Sequence, residues 1–421
     1  MLFQAANSVI DQEDRLFELV DELSMGGQGA VYRTNSDTDL VKLFFSGTDA
    51  LDEIARVRRM PLTDLPVSRP MSLISDPSGY TLQFQRDMDV VRSLKYNHTS
   101  SVRDWWLDTG GLSRRLWLGS RIASVFERLH MRGLVYGDLN SNNIMVSKSK
   151  SYNEVSLIDL DNLFYFGERE SADVWTPTYS APEIAQGFSP PTFSSDDFSL
   201  AVILFELLTM VHPFMDGDAV KREPTTSQYF ELAQRCLVPS VIDSDSSNRC
   251  SVYPVQNESD LLGDELLDLF QKSLQVSSLD TGVRASSGDL RLAMVRAVLG
   301  VIDCQKCAWS YSAVNLIPCP DCGAKESTCR LRILSGDGTT AAFEIILGGT
   351  PRTIDFGLLF PVIQEREQLR NSYVVDFFLL NRQVRIMPRN HDLIDTPRYV
   401  EDSVTMHVKK FGELKIEVEY R

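Results

Sequence analysis

The sequence contains no apolar run long enough to cross a lipid bilayer. Its longest, residues 198–211, is interrupted by Ser199, Glu206 and Thr209, whereas a membrane-spanning helix needs about 20 predominantly apolar residues. No apolar stretch follows a basic start near residue 1, as a secretory signal requires. We therefore expect a soluble protein located in the cytoplasm.

Positive charge is also scarce. The chain has 42 Lys and Arg against 58 Asp and Glu, a formal net charge of −16. Surfaces that bind nucleic acid or anionic membranes need clustered Lys and Arg, so we expect neither as a partner. Apolar residues make up 43% of the 421 residues, which supplies a packed core and allows two or three domains.

Cysteine is rare, but four of the seven cysteines lie close together, as two C-x-x-C pairs separated by eleven residues. This spacing is typical of a closed site for structural zinc, and it suits a reducing compartment better than a disulfide framework. Four unbound thiols and a redox C-x-x-C are the alternatives, although a redox site needs only one pair. We predict a zinc ribbon at 302–329 that binds Zn²⁺ through Cys304, Cys307, Cys319 and Cys322.

Two apolar runs elsewhere end in acidic and amide side chains. The run that begins at residue 134 leads to Asp138 and Asn143, and the run that begins at residue 155 leads to Asp159. If both runs are strands, their ends bring two acids and an amide together. Oxygen ligands of this kind suit Mg²⁺, which shares its coordination with substrate phosphates.

These residues resemble the catalytic loop and the metal-binding D-F-G of eukaryotic-type protein kinases. The resemblance implies that Asp138 is the catalytic base, that Asn143 and Asp159 hold Mg²⁺, and that ATP is the phosphoryl donor. The motifs G-D-L-x-x-N-N and D-x-D-N at these residues are similar to those of bacterial serine/threonine kinases associated with tellurite-resistance and stress operons. That similarity implies a role in bacterial stress response, protein substrates, and a cognate phosphatase or operon partner.

Four positions depart from the kinase pattern. The usual His, Arg, Lys and D-F-G Gly are replaced by Tyr136, Gly137, Asn140 and Asp161. Because Gly137 lacks the Arg that clamps a phosphorylated activation loop, we predict activity without phosphorylation of that loop. Asp161 either restricts movement of its segment or binds a cation, and the sequence leaves both open.

A glycine-rich turn lies about a hundred residues before the catalytic loop. Gly26, Gly27 and Gly29 separate two predicted strands, and glycines let backbone N–H groups approach phosphates without a Cβ in the way. An ordinary hairpin turn is the alternative. The resemblance implies that this loop covers the ATP phosphates and that Val31 covers the adenine.

A single Lys lies inside the apolar strand predicted at 39–45. A buried Lys is costly without a partner. The resemblance implies that Lys42 binds the α- and β-phosphates and pairs with a helix Glu, for which Glu53 in the predicted helix 49–60 is the candidate. The alternatives are a Lys42 that reaches the surface and a Glu53 on a solvated helix face.

Residues after Asp159 resemble the substrate-docking apparatus of protein kinases. Thr176 matches the Thr that hydrogen-bonds the catalytic Asp, and Glu183 closes an A-P-E sequence. We expect Asp196 to cap the buried helix 196–208 and to bind the catalytic-loop backbone. We expect Arg284 to pair with Glu183. The polar stretch 215–260 is predicted to be a surface insertion.

The predicted architecture is multidomain α+β. It comprises a bilobal kinase fold at 12–301 (N-lobe about 12–88, C-lobe about 89–301), the zinc ribbon at 302–329, and a small antiparallel β domain at 330–421, where short runs alternate apolar and polar residues. The predicted function is ATP- and Mg²⁺-dependent transfer of the γ-phosphoryl group to protein Ser or Thr, with a C-terminal region that regulates or binds partners. A pseudokinase or adaptor scaffold and a small-molecule phosphotransferase, such as the similar aminoglycoside and choline kinases, are the alternatives.

Overall fold

The structure is a computed structural model of the chain. It describes residues 8–45, 51–97, 99–170, 175–215, 231, 258–274, 282, 284–314, 318–325, 327–335, 341–349, 352–355, 374–380, 383–388, 393–394, 399–400, 403–408 and 412–420. Most of the predicted insertion at 215–260 lies outside these residues. None of the helices within them combines the length and apolar content that a membrane span requires.

Helices and strands alternate in the first 300 residues, and strands dominate afterwards. The helices are α1 (Leu51–Arg58), α2 (Val102–Asp108), α3 (Gly111–Met131), α4 (Pro182–Ala185), α5 (Phe193–Thr209), α6 (Glu258–Leu274) and α7 (Ser287–Leu299). The strands are β1 (Ser8–Ile10), β2 (Leu16–Met25), β3 (Gly29–Thr34), β4 (Asp39–Phe44), β5 (Leu73–Ile74), β6 (Gly79–Gln83), β7 (Met88–Val90), β8 (Leu134–Val135), β9 (Ile144–Ser147), β10 (Val155–Leu157), β11 (Phe164–Tyr165), β12 (Val301–Asp303), β13 (Ser310–Ser312), β14 (Cys329–Ser335), β15 (Ala341–Leu347), β16 (Arg352–Asp355), β17 (Val374–Leu380), β18 (Gln383–Pro388), β19 (Leu393–Ile394), β20 (Tyr399–Val400), β21 (Ser403–Val408) and β22 (Gly412–Tyr420). Short 3₁₀ turns occupy Val91–Leu94 and Leu160–Asn162.

An antiparallel sheet with strand order β1-β2-β3-β4-β6-β5 forms the N-terminal lobe. Successive side chains of a strand point to opposite faces. In β4, Val41 and Leu43 pack on one face, whereas Leu40 and Phe44 pack on the other with Ile54 of α1. Lys42 shares the second face by the same alternation, which directs it towards the cleft between the lobes.

Helices build the second lobe around α3. The apolar stripe predicted at Leu118, Ile122, Val125, Phe126 and Leu129 is buried, and α3 packs on α7 and α5. Its last turn leads to Gly133, whose φ of 74° is readily adopted only without a Cβ. The chain then turns into β8, which carries the catalytic loop.

Helix α5 begins earlier than predicted. Thr192 is its N-cap, because its side chain accepts a hydrogen bond from the Ser195 backbone N–H, and the Ser195 hydroxyl accepts one from the Thr192 backbone N–H. The expectation that Asp196 caps this helix is therefore wrong. Such a reciprocal capping box satisfies two backbone donors that the helix leaves unpaired, which releases the Asp196 carboxylate for the catalytic loop.

A hairpin of β9 and β10 follows the catalytic loop. Ile144 pairs with Leu157, and the backbone N–H of Ile158 donates to the carbonyl of Asn143 at 3.0 Å. The register places Asn143 directly beside the segment that carries Asp159. The two apolar runs that begin at residues 134 and 155 form β8 and β10, and it is the pairing of β9 with β10 that brings Asn143 next to the segment that carries Asp159.

The C-terminal third contains two antiparallel sheets, with strand orders β15-β14-β22-β21-β19 and β16-β17-β18-β20. Before them, β12 pairs with β13; Cys304 and Cys307 lie between these two strands, and Cys319 and Cys322 follow β13. One continuous apolar core runs from the helical lobe through this cysteine segment into the β14–β15 and β17–β18 strands. Among the described residues, the C-terminal third thus packs against the helical lobe.

Candidate active site

The glycine-rich turn lies between β2 and β3. The backbone N–H of Gly26 donates to the carbonyl of Gly29 at 2.9 Å. A Cβ on Gly27 would meet nothing within 4 Å, whereas one on Gly29 would lie 2.2 Å from the Leu43 carbonyl oxygen. Gly29 is therefore needed for the pairing of β3 with β4, while Gly26 and Gly27 leave a bare backbone that can approach a phosphate.

Lys42 is buried in β4 opposite Val31 of β3. Its ammonium donates to Asp159 Oδ1 at 2.5 Å and to Asp161 Oδ2 at 2.6 Å. Burial lowers the pKa of Lys42, but the charges of Asp161 and Asp159 outweigh this effect and the net shift is upward. The ammonium therefore stays charged, as a phosphate anchor must.

The predicted pairing of Lys42 with Glu53 does not occur. Glu53 lies on the exposed face of α1, and the buried residues of that helix are Ile54 and Val57. Helix α1 has eight residues and ends at Arg58. It presents its apolar side to the protein interior and its acids to solvent. Both ion pairs of Lys42 are instead made with the segment after β10.

Asp138 lies at the turn that follows β8. Its Oδ1 accepts a hydrogen bond from the Thr176 hydroxyl at 2.7 Å, and Asn140 donates to the same Thr176 oxygen at 3.1 Å. Burial raises the pKa of the Asp138 carboxyl, the Thr176 hydrogen bond opposes this rise, and the charge of Asp159 adds to it. Thr176 thus orients the carboxylate and favours its ionised form.

Asn143 and Asp159 meet the chemical demands of a magnesium site. Asn143 donates its amide nitrogen to the Asp138 carbonyl at 3.1 Å, which leaves its amide oxygen available to a cation. The Asp159 side chain is 37% exposed. A carboxylate and an amide oxygen that leave room for water and phosphate are the donors Mg²⁺ prefers, so the residues present fit this ion.

Two contacts hold the catalytic loop in place. Asp196 accepts hydrogen bonds from the backbone N–H groups of Tyr136 at 2.7 Å and Gly137 at 3.0 Å, as predicted. The Tyr136 hydroxyl donates to the carbonyl oxygen of Ile158 at 2.5 Å. The first contact fixes the loop to α5, and the second fixes it to the strand that leads to Asp159.

The segment that follows Thr176 is anchored by a buried ion pair. Arg284 donates to both carboxylate oxygens of Glu183, at 2.6 and 2.8 Å, and the two side chains are 5% and 7% exposed. A cavity opens beside this segment and is lined by Asp138, Trp175, Thr176, Ser180 and Ser195 among others. The predicted Glu183–Arg284 pair is therefore present, next to a cleft that reaches Asp138.

Sequence reasoning missed Tyr80. This buried residue of β6 pairs with Lys42 across the strands, and its hydroxyl donates to Asp161 Oδ1 at 2.6 Å. The available signal was Asp161 itself, an acid placed immediately after a buried apolar run. A buried acid needs donors, but the sequence alone could not show that they come from β4 and β6.

The four clustered cysteines come together at one point. All four sulfurs lie within 4.8 Å of one another, with Sγ–Sγ distances of 3.6 Å for Cys304–Cys322 and 3.5 Å for Cys307–Cys319. Tetrahedral zinc with Zn–S bonds near 2.3 Å requires sulfurs roughly 3.8 Å apart. The donors and their spacing therefore fit a zinc ion, which these four residues could hold.

Two family comparisons match the chain. Residues 114–280 match the protein kinase domain family, and residues 35–164 match the lipopolysaccharide kinase (Kdo/WaaP) family. The first match includes the catalytic loop and the A-P-E segment. The second includes Lys42 and the catalytic loop but ends before Thr176.

Individual relatives are also protein kinases by name. Serine/threonine-protein kinase PknD of Chlamydia felis is 26% identical over 225 residues, 48% of this chain and 24% of the relative. The probable serine/threonine-protein kinase PknB of Lactococcus lactis is 27% identical over 224 residues, 48% of this chain and 33% of the relative. The probable cAMP-dependent protein kinase catalytic subunit of Encephalitozoon cuniculi is 29% identical over 249 residues, 55% of this chain and 74% of the relative.

The chain thus spans about a quarter of the length of PknD and a third of that of PknB. The match to the protein kinase domain family at residues 114–280 contains the catalytic loop, the A-P-E segment and much of the helical lobe. Residues 114–280 are therefore similar to the protein kinase domain family, and the chain is similar to bacterial serine/threonine-protein kinases.

Proposed function

We propose that the protein transfers the γ-phosphoryl group of ATP to a serine or threonine hydroxyl of a protein substrate. The observation that carries this proposal is the hydrogen bond from Thr176 to Asp138, next to a docking segment fixed by Glu183 and Arg284. The segment borders the cavity that leads to Asp138. A polypeptide substrate is thereby given a surface on which to lie beside the proposed base.

The roles of the residues follow from their positions. Asp138 orients the substrate hydroxyl and accepts its proton, and Lys42 anchors the phosphates beneath the backbone of Gly26, Gly27 and Gly29. Val31 faces the adenine. Asn143 and Asp159 would hold Mg²⁺, which neutralises charge on the transferred group when it is bound. Most of the rate enhancement in this class comes from such positioning and electrostatic stabilisation.

A small-molecule phosphotransferase is the second candidate, since residues 35–164 match a lipopolysaccharide kinase family. Lys42 and the catalytic loop are compatible with either substrate class. The docking segment distinguishes them, because Thr176, Glu183 and Arg284 lie beyond that match and have no evident role with a small acceptor. A pseudokinase scaffold is less well supported because the base, both metal ligands and the lysine are all present.

Labelled ATP separates the three candidates. The wild type and Asp138→Asn are incubated with Mg²⁺, ATP labelled at the γ-phosphate, a protein-free extract of small molecules and a mixture of proteins. Label on protein Ser or Thr that the variant lowers by about 10²- to 10⁴-fold supports the proposal. Label confined to small molecules replaces it with the second candidate, and absence of label from both supports the scaffold.

The remaining parts of the proposal concern the C-terminal third. We propose that Cys304, Cys307, Cys319 and Cys322 bind Zn²⁺ as a ribbon at 302–329, and that residues 330–421 form a β domain that regulates the kinase or binds a partner. For the protein as a whole, we also propose a cognate phosphatase or operon partner, a role in the stress response and a cytoplasmic location. Neither a nucleic acid nor a membrane is proposed as a partner.

A further inference from the structure

The two acids that contact Lys42 are in different environments. The Asp159 side chain is 37% exposed, whereas the Asp161 side chain is 4% exposed and the Lys42 side chain 10%. Asp159 can therefore turn towards a ligand in the cleft. Asp161 is enclosed, and it has to satisfy its charge within the protein.

Both oxygens of Asp161 already have donors from the sheet. Tyr80 donates to Oδ1 and Lys42 donates to Oδ2, each at 2.6 Å. Tyr80 and Lys42 are register partners on β6 and β4, so the sheet fixes their separation. A buried carboxylate held at both oxygens in this way is suited to a fixed counter-ion and poorly suited to a cation ligand.

Helix α1 contributes a different contact to this region. Its acid Glu53 is exposed. Arg56 instead donates to the Leu163 carbonyl at 3.1 Å and to Glu168 at 2.6 Å. The helix therefore holds the segment after Asp161 from outside, and it brings no described acid to Lys42.

We propose that Asp161, held by Tyr80, is the positioning residue that orients Lys42 towards the nucleotide phosphates. This inference rests on the proposed function and names the group that replaces a helix acid in it. Because Asp161 neutralises Lys42 independently of Asp159, the Asp159 carboxylate can leave the lysine without stranding a buried charge. The orientation of Lys42 is thus built into β4, β6 and the Asp161 turn and does not depend on movement of α1.

A double-mutant cycle tests this role. The affinity for ATP is measured by calorimetry with Mg²⁺ and with a chelator in place of Mg²⁺, for Asp161→Asn, for Lys42→Met and for the double variant. Asp161→Asn is expected to weaken nucleotide binding about tenfold or more in the presence of Lys42, as loss of a hydrogen bond to a charged group does. In the Lys42→Met background the same change should cost less than about twofold, because its target is gone.

Two further variants keep the test interpretable. Tyr80→Phe preserves the ion pair and removes one donor, so we expect a smaller loss of about two- to tenfold. Glu53→Gln is the matched control on α1 and should change nothing. Thermal unfolding of each variant confirms that it is folded before its affinity is compared with that of the wild type.

Several results would overturn the inference. Equal losses with and without Lys42, or a raised Mg²⁺ requirement for Asp161→Asn alone, would make Asp161 a metal ligand. A loss for Glu53→Gln as large as that for Asp161→Asn would return the role to the helix. An unchanged affinity for ATP in Asp161→Asn would show that Asp161 does not orient Lys42. A wild type that binds ATP without transferring phosphate would defeat the proposed function but leave the cycle readable.

Discussion

At the scale of single residues, Tyr136 occupies a position where protein kinases usually have histidine. Its hydroxyl donates to the carbonyl oxygens of Ile158 at 2.5 Å and Asp159 at 3.2 Å. Burial raises the pKa of this phenol well above its ordinary value, so the group stays a donor at neutral pH. Asp159 has a φ of 57°, a left-handed conformation that Asp adopts more readily than most residues other than glycine, and the tyrosine helps to hold it.

The Thr176–Asp138 hydrogen bond predicts a shift in the pH profile. The Thr176 hydroxyl donates to Asp138 and lowers its pKa, against burial, which raises it. In Thr176→Val the pKa of Asp138 should therefore rise further. Because the ionised carboxylate accepts the substrate proton, activity falls as pH falls through this pKa. The acidic limb of kcat/KM should move to higher pH in the variant.

The matched control for this prediction is Thr176→Ser, which keeps the hydroxyl. Its acidic limb should coincide with that of the wild type even if the plateau rate is lower. A limb that stays in place in Thr176→Val, or one that moves equally in Thr176→Ser, would show that the hydrogen bond does not tune Asp138.

Gly137 predicts independence from activation-loop phosphorylation. It has a φ of 84°, and a Cβ there would lie 3.1 Å from the Phe164 ring. The position therefore offers no cation to a phosphate, and a side chain there would be strained by the positive φ and crowded by the Phe164 ring. Purified protein treated with a protein phosphatase should keep its activity within about twofold. Loss of activity that returns on rephosphorylation between residues 161 and 174 would contradict this.

At the scale of elements, local patterns were sufficient where one periodicity decides the structure. The stripe on α3 and the two apolar runs that form β8 and β10 appear where the sequence predicts them. The partner of Lys42 could not be predicted, because Asp161 lies 119 positions away in the chain. Glu53 on the nearby helix α1 fitted the family pattern. In the structure, however, Ile54 and Val57 form the buried side of α1, and Glu53 lies on the exposed side.

The anchored docking segment predicts a large effect on stability. Arg284→Met strands the buried Glu183 carboxylate, and loss of one partner of a buried pair typically costs about 3–5 kcal/mol. Urea unfolding should show a loss of this size. The control is Arg296→Met, whose ion pair with Glu265 is about half exposed on both sides and should matter by less than about 1 kcal/mol. Equal effects of the two variants would contradict the account.

At the scale of the whole molecule, the cysteine segment is docked on the helical lobe. Trp309 stacks on Trp106 of α2 with ring centroids 5.6 Å apart, and Arg103 binds Asp321 at 3.0 Å. The Ser310 hydroxyl accepts a hydrogen bond from the Leu112 backbone at the start of α3. These contacts join residues about 200 positions apart, so the sequence spacing that indicates a metal site carries no information about where the site docks.

This docking predicts that metal removal affects the kinase lobe. Cys319→Ser should lose the single Zn²⁺ that we expect per chain and should lower the thermal midpoint of the helical lobe by several degrees, because α2 and α3 lose a packed neighbour. Metal content and differential scanning calorimetry provide the readouts. Cys329→Ser, outside the cluster, should keep the metal. Wild-type protein that contains no zinc, or an unchanged midpoint in Cys319→Ser, would contradict the prediction.

The central claim is that Lys42, Asn143 and Asp159 gather around one magnesium-bound nucleotide beside Asp138. Calorimetric titration of the full chain with ATP, with and without Mg²⁺, tests it most directly. The account predicts one ATP site per chain whose affinity rises with Mg²⁺. In Asp159→Asn the increase in ATP affinity caused by Mg²⁺ should be at least about tenfold smaller than in the wild type. Absence of nucleotide binding by the wild type, or Mg²⁺-dependent binding that Asp159→Asn leaves unchanged, would contradict it.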